Sequence, residues 1–290
     1  MTKQNNSLCG LLNEQTTRGL IRTALQEDLS FGSDITSLAT IPATSHATAK
    51  LVSRADGVVC ATEAIIWTLE EVIANEFSVK VHIGDGKLVH PGSVVATIEA
   101  PTRELLIAER TLLNIVTHAS GISSAAHQWV NAISGSNARI RDSRKTLPGL
   151  RNLQKYAVTC GGGVNHRYCL SDEALIKDNH VAAVGSVGEA FSRVRRAYPE
   201  LPCEVEVDTL EQFDEVLRMK PEIIMLDNFE IWQTQIAVQH RDEFSPATQL
   251  ESSGGLTLGV ARDYACCGVD FLAVGALTHS VKALDLGLDF

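Results

Sequence analysis

The sequence lacks the marks of several protein classes. It has no Cys-x-x-Cys pair, and its seven cysteines (Cys9, Cys60, Cys160, Cys169, Cys203, Cys266 and Cys267) are an odd number. That argues against a disulfide framework or a structural zinc site and predicts reduced thiols. The vicinal pair Cys266–Cys267 reads as two small residues on a packed helix. No run of about 18 apolar residues occurs, so no membrane-spanning helix is expected. Met1–Cys9 is polar, without a basic run leading into an apolar core, so no secretory signal is expected and a cytoplasmic location follows. Low-complexity linkers and repeats of 20 to 50 residues are missing. Basic residues are outnumbered 25 to 35, a formal net charge of −10, which disfavours a nucleic-acid partner. No Ser-His-Asp or Cys-His grouping suggests a side-chain nucleophile.

What is present is ordinary globular composition. The chain has 290 residues, 44% of them hydrophobic and 21% charged, enough for one large domain or two modest ones. Its character changes near residue 135. Before that point, Gly19–Leu29 reads as the end of an amphipathic helix, Ala61–Asn75 as a helix, and Ala47–Arg54, Gly57–Cys60, Phe77–Ile83 and Ser93–Ala100 as strands. A long helical region runs from about Arg103 to Ile133, with a possible break at Gly121. After residue 135 strands and helices alternate. The strands are Ala138–Arg141, Ala174–Ile176, Cys203–Val207, Ile223–Leu226, Thr248–Glu251 and Asp270–Val274. The helices are Gln154–Cys160, Val187–Ala197, Leu210–Met219, Ile231–His240 and Thr257–Cys267. Such alternation predicts parallel pairing, as a barrel with fewer than eight strands or as an open doubly wound sheet.

Polar groups follow every one of these strands, where parallel α/β barrels build their sites. They are Arg144 and Lys145, then Lys177, Asp178 and Asn179, then Glu204, Glu206 and Asp208, then Asp227 and Asn228, then Glu251-Ser252-Ser253-Gly254-Gly255, and finally Gly275 with His279 close behind. Residues 139–180 carry eight Lys/Arg against four Asp/Glu in an otherwise acidic chain, which suits a small polyanion such as a carboxylate or a phosphate. Ser253, Gly254 and Gly275 match a phosphate site made by the last two strand–helix loops. Glu206 and Asp227 end neighbouring strands and suit Mg²⁺ or ribose hydroxyls. His166, beside Arg167 and after Gly161-Gly162-Gly163, is a candidate for orienting a substrate carboxylate. Gly84–Ile98 has the pattern of a lipoyl-type hammerhead with Lys87 in a turn, but the matching half is missing, so a structural hairpin is expected.

Taken together the blocks resemble the quinolinate phosphoribosyltransferase family. They are Glu109-Arg110-Thr111-Leu112-Leu113-Asn114, Arg144-Lys145-Thr146-Leu147-Pro148-Gly149-Leu150-Arg151, Lys155-Tyr156-Ala157-Val158, Gly161–Arg167, Leu175–His180, Glu204–Thr209, Met225–Asn228 and Glu251–Gly255. Cys169 and Leu147 depart from the pattern, and neither is a ligand. The resemblance implies an N-terminal mixed α/β sandwich (1–117), an incomplete parallel α/β barrel (118–278) and a tail (279–290) packing back on the sandwich. It implies a homo-oligomer, a dimer or a hexamer, in which Arg110 reaches the partner's site. Quinolinate would meet Arg110, Arg144, His166, Arg167 and Lys177. Phosphoribosyl pyrophosphate would meet Lys145, Ser253, Gly254, Gly275 and His279. Lys145, Lys177, Glu206 and Asp227 would be catalytic, the last two holding Mg²⁺. The implied product is nicotinate mononucleotide, made with loss of CO₂ for NAD biosynthesis. The rival readings are a pyrophosphorylase-like protein linked to molybdenum transport, a phosphoribosyltransferase for nicotinate and a non-catalytic phosphoribosyl-ligand binder.

Overall fold

The computed structural model describes residues 11–290; Cys9, like the rest of Met1–Cys9, lies outside them. In chain order the elements are α1 (Glu14–Leu29), α2 (Ile35–Thr40), β1 (His46–Ser53), β2 (Gly57–Val58), α3 (Glu63–Val72), β3 (Ser78–Val81), β4 (Leu88–Val89), β5 (Val94–Pro101) and α4 (Thr102–Ala132). There follow β6 (Arg139–Arg141), α5 (Arg151–Cys160), β7 (Ala174–Ile176), α6 (Asp178–Val184), α7 (Val187–Ala197), β8 (Cys203–Val207) and α8 (Leu210–Leu217). The chain ends with β9 (Ile223–Asp227), α9 (Ile231–Phe244), β10 (Gln249–Ser253), α10 (Leu258–Cys266), β11 (Phe271–Ala273), α11 (Ala276–His279) and β12 (Leu286–Asp289). Two compact units result. Of the described residues, one holds 11–127 with Thr146–Gly162 and Ala276–Phe290; the other holds Gln128–Lys145 and Gly163–Gly275.

The first unit is built on an antiparallel sheet in the order β12-β1-β5-β3. Its apolar face carries Leu51, Ala96 and Ile98, which pack with Ile65 and Leu69 of α3 and Leu105, Leu112 and Val116 of α4. The tail strand β12 pairs with β1, Lys50 opposite Asp289 and Ser53 opposite Leu286. Side-chain caps start the helices that the pattern alone left short or unread. Asn13 accepts from the Thr16 amide and begins α1, and Asp34 accepts from the Thr36 and Ser37 amides and begins α2.

One reading is corrected here. Helix α4 runs unbroken through the possible break at Gly121. The glycine serves close approach: a Cβ there would collide with the Lys282 carbonyl and the Ala283 backbone. The hairpin expected around Lys87 is present: β3 and β5 pair antiparallel on either side of it, Ser78 opposite Glu99 and Val81 opposite Ala96, while β4 between them pairs with β2.

The second unit is a parallel sheet in the order β6-β11-β10-β9-β8-β7. Strands β6 and β7 are consecutive in the unit yet lie at opposite edges, so the barrel stays open between them. Val164 alone lies along the free edge of β6, its amide donating to Ile140 and its carbonyl accepting from Asp142. Outward-facing Val205, Val207, Ile224, Leu226, Leu250 and Leu272 are buried under helices such as α8, whose Phe213 and Leu217 are also sealed. No helix among the described residues is long and apolar enough to cross a membrane.

Candidate active site

Alternation along the barrel strands decides where each charge points, because successive side chains face opposite sides of a sheet. On β8, Cys203, Val205 and Val207 face the helices, so Glu204 and Glu206 face inward. Arg141 on β6, Glu204 on β8 and Glu251 on β10 therefore meet inside the barrel. The Arg141 Nη1 lies 2.9 Å from Glu251 Oε2 and 3.6 Å from Glu204 Oε2, and Nη2 lies 3.4 Å from Glu173 Oε2. Glu204 and Glu251 are fully buried, and neither Glu204 oxygen has a hydrogen-bond donor. Burial pushes all three carboxyls up, and Glu251, beside Glu204, reaches about 8. Burial pulls Arg141 down, but Glu251, Glu204 and Glu173 together leave it raised.

Sequence reading placed Glu204 and Glu251 on the rim and gave Arg141, Asp142 and Glu173 no part in the site. The signal was present as the period of two in Cys203-Glu-Val-Glu-Val, which puts Glu204 one layer below Glu206. It was obscured by ending the fifth strand at Glu251; β10 continues to Ser253 and leaves Glu251 in mid-strand.

His166 belongs to this interior and not to the rim. It is 4% exposed. Its amide donates to Asp142 Oδ1 (2.7 Å), its Nδ1 accepts from the Arg167 amide (2.6 Å), and its Nε2 lies 2.8 Å from Glu204 Oε2, off the line of a hydrogen bond. Because Nδ1 accepts, the ring carries its proton on Nε2. Its Nδ1 is taken by the Arg167 amide and its Nε2 faces Glu204, so the ring holds the backbone of Arg167 from inside the barrel.

The mouth above is cationic on one side. Arg144 follows β6, and Arg167 follows the Val164 bridge. Arg167 donates to the Glu173 carbonyl through Nη1 (3.1 Å). The Nε of Arg144 and that of Arg167 are both buried and both without a hydrogen-bond acceptor. Burial and then the Arg144 charge lower the Arg167 guanidinium, the mark of two cations crowded together without enough anion. Lys145 is exposed. Lys177 sits at the start of α6, a helix the sequence reading left as loop, and its Nζ pairs with Glu206 Oε2 at 2.5 Å.

Across the mouth the rim is acidic. Asp227 ends β9 and is raised by burial and then by Glu206 and Asp208. Asp208 is raised by burial and then by Glu206 and Asp178. Beside them the β10–α10 turn is shaped by necessity: Gly254 has φ +88° and an added Cβ would collide with Asn228, while Gly255 has φ +59°. The Asn228 amide donates to the Ser253 carbonyl (2.9 Å), tying this turn to the end of β9. Gly275 follows β11 in the same unit. Arg110, exposed on α4, and His279, exposed at the end of α11, belong to the other unit.

An open parallel barrel whose mouth sets crowded guanidinium groups against crowded carboxylates and a glycine turn defines an enzyme for small anionic substrates. Residues 34–120 match the N-terminal domain of quinolinate phosphoribosyl transferase and residues 122–289 its C-terminal domain, and the chain belongs to this family. It is 56% identical over 273 residues to the nicotinate-nucleotide pyrophosphorylase [carboxylating] of Mycobacterium leprae, covering 94% of this chain and 96% of that protein. It is 36% identical to the probable nicotinate-nucleotide pyrophosphorylase [carboxylating] of Bacillus subtilis, over 96% of this chain and 94% of that one. Among solved structures, the nicotinate-nucleotide pyrophosphorylase of Francisella tularensis superposes with a TM-score of 0.90 at 32% identity, over 97% of this chain and 98% of that chain.

Proposed function

We propose that this chain transfers the phosphoribosyl group of phosphoribosyl pyrophosphate to quinolinate and releases CO₂, giving nicotinate mononucleotide for NAD biosynthesis. The observation that carries the reading is the pair of buried, acceptorless Nε groups on Arg144 and Arg167. Two like charges held so close call for an anion between them, and a planar dicarboxylate supplies acceptors for both forks. His166 fixes the Arg167 backbone so that its guanidinium meets the ligand in one orientation. Lys177 stands between the two halves of the mouth and contacts the acid side through Glu206. Arg110 completes the cationic pocket from a partner subunit in a homodimer or larger homo-oligomer. Lys145 faces the pyrophosphate, and Ser253, Gly254, Gly275 and His279 hold the 5′-phosphate.

The reaction needs no side-chain nucleophile. The pyridine nitrogen attacks C1 of the ribose as pyrophosphate leaves, and Glu206 and Asp227 offset the positive character that develops on that carbon. The quaternised ring then accepts the electron pair left when the 2-carboxylate departs as CO₂, and a proton replaces it. The cationic side acts first, by fixing both carboxylates and the ring plane. The crowded acids Glu206, Asp208 and Asp227 suit a hard divalent cation, so Mg²⁺ fits at Glu206 and Asp227. When bound it neutralises charge on the departing pyrophosphate. We place the enzyme in the cytoplasm.

The test is an assay of nicotinate mononucleotide and CO₂ from quinolinate, phosphoribosyl pyrophosphate and Mg²⁺. Equal yields of both, abolished by chelation, are expected. Product from nicotinate without CO₂, or tight binding of phosphoribosyl pyrophosphate with no turnover, would overturn the reading in favour of a nicotinate enzyme or a binding protein.

A further inference from the structure

Outside this site, a second group of reactive side chains lies in the other unit and has no part in the chemistry above. Cys60 follows β2 and is fully buried, and Cys160 is the last residue of α5 and is half-buried. Their sulfurs and a carboxylate oxygen of Asp85 all lie within 4.8 Å of one another. Two chemistries fit such a trio, a soft metal ion or a bond between the sulfurs.

Asp85 decides between them. Its Oδ1 accepts from the Thr62 amide (2.9 Å) and the Thr62 hydroxyl (2.7 Å), and its Oδ2 accepts from the Ala61 amide (2.8 Å) and the Tyr156 hydroxyl (2.7 Å). Each oxygen already takes two hydrogen bonds, which is its ordinary capacity. The carboxylate holds the turn at Ala61, where φ is +62°, and has no lone pair left for a cation. That leaves the two sulfurs.

We propose that Cys60 and Cys160 are an oxidisable thiol pair that closes to a disulfide after Cys160 attacks a hydroperoxide. The backbone at both positions is fixed against the same helix. The Cys60 amide donates to Ser120 Oγ of α4 at 2.9 Å, and Ser123 Oγ of α4 donates to the Ala157 carbonyl in α5 at 2.7 Å. Gly161, next to Cys160, approaches α4 so closely that a Cβ would collide with the Ser123 carbonyl. The sulfurs therefore remain neighbours, and closure needs only side-chain rotation.

The two thiols differ in character. A hydrogen bond from the Cys60 thiol lowers Cys160, whereas burial pushes Cys60 well up. Burial also raises Cys203, to about 12, and Cys267. Cys160 is thus the attacking thiolate and Cys60 the resolving thiol. The Cys160 thiolate displaces hydroxide from hydrogen peroxide and becomes a sulfenic acid. The Cys60 thiol then attacks that sulfur, and its proton leaves with the sulfenic hydroxyl as water. Two thiols are oxidised and one peroxide is reduced to two waters.

The experiment treats the full-length enzyme with hydrogen peroxide, blocks remaining thiols with iodoacetamide and maps the peptides. One linked peptide joining Cys60 to Cys160, reversed by dithiothreitol, is expected before any link at Cys203. In Cys60→Ser, dimedone should trap a sulfenic acid on Cys160; in Cys160→Ser, Cys60 should stay reduced. The proposal fails if Cys160 is fully alkylated after peroxide that has already oxidised Cys266, or if Cys160 links to another cysteine. The wild-type map alone decides the matter if either variant fails to fold.

Discussion

Glu204 and Glu206 stand two residues apart on the same face of β8, and they live in different chemistry. Glu204 is sealed inside the barrel with Arg141, His166, Glu173 and Glu251. Glu206 opens toward the mouth and pairs with Lys177. One pleat step, about 7 Å of strand, separates a layer sealed inside the barrel from a layer at its mouth, where we propose the chemistry takes place. The difference shows how a barrel can bury three carboxyls near its site without using them as ligands. They surround one guanidinium, and burial raises all three, which lowers the cost of placing three acids there.

This comparison can be broken most forcefully from below. Arg141→Met removes the cation that the three interior acids share. Removing one partner of a buried ion pair costs about 3–5 kcal/mol. Urea unfolding should show a loss of that size, and a change below about 1 kcal/mol would mean that the interior layer does not depend on its arginine.

The rim should behave in the opposite way. Glu206→Gln keeps the side-chain shape and removes the charge that, in the proposed reaction, faces C1 of the ribose. We expect kcat to fall by about 10²–10³, the usual loss for one preorganised electrostatic group, while the unfolding midpoint barely moves. A variant that loses stability but not rate would place Glu206 with the interior layer. On the cationic side Arg144→Ala should raise the KM for quinolinate by about 10- to 100-fold and lower kcat, as expected for losing a charged hydrogen-bonding group worth about 1.5–3 kcal/mol. The KM for phosphoribosyl pyrophosphate should change much less, and unchanged kinetics would remove Arg144 from the pocket.

Much of this was legible in the sequence, and the failures have physical causes. The strands Ala174–Ile176 and Cys203–Val207 and the helix Val187–Ala197 occur with the expected bounds, because their apolar residues are patterned locally. Lys145, Lys177, Glu206, Asp227 and the Ser253-Gly254-Gly255 turn were visible because strand-end polar groups interrupt apolar runs. The misses came from long-range packing. Gly121 looked like a helix breaker because the backbone it meets is more than 150 residues later. Strand β12 has only four residues and takes its identity from β1. His166 was read by its neighbours in sequence, Asn165 and Arg167, when its environment is set by Glu204 and Asp142. Charged residues were taken for rim residues, and a buried charge layer is the case where that rule fails.

The pH dependence of stability is the sharpest test of the interior layer. In the folded protein Glu251 keeps its proton up to about pH 8, whereas an unfolded glutamate releases it near its ordinary value of 4.5. Between those values the native state binds more protons than the unfolded state. Stability from this group is therefore complete below about 4.5 and is lost as pH rises through 8. Glu251→Gln retains a neutral side chain of the same length at every pH. Thermal or urea unfolding measured from pH 5 to pH 9 should show wild-type stability declining more steeply than that of the variant. Parallel curves would mean that Glu251 is ionised in the native state and that Arg141 neutralises it directly, which would make the interior a conventional buried ion pair and remove the distinction between the two layers.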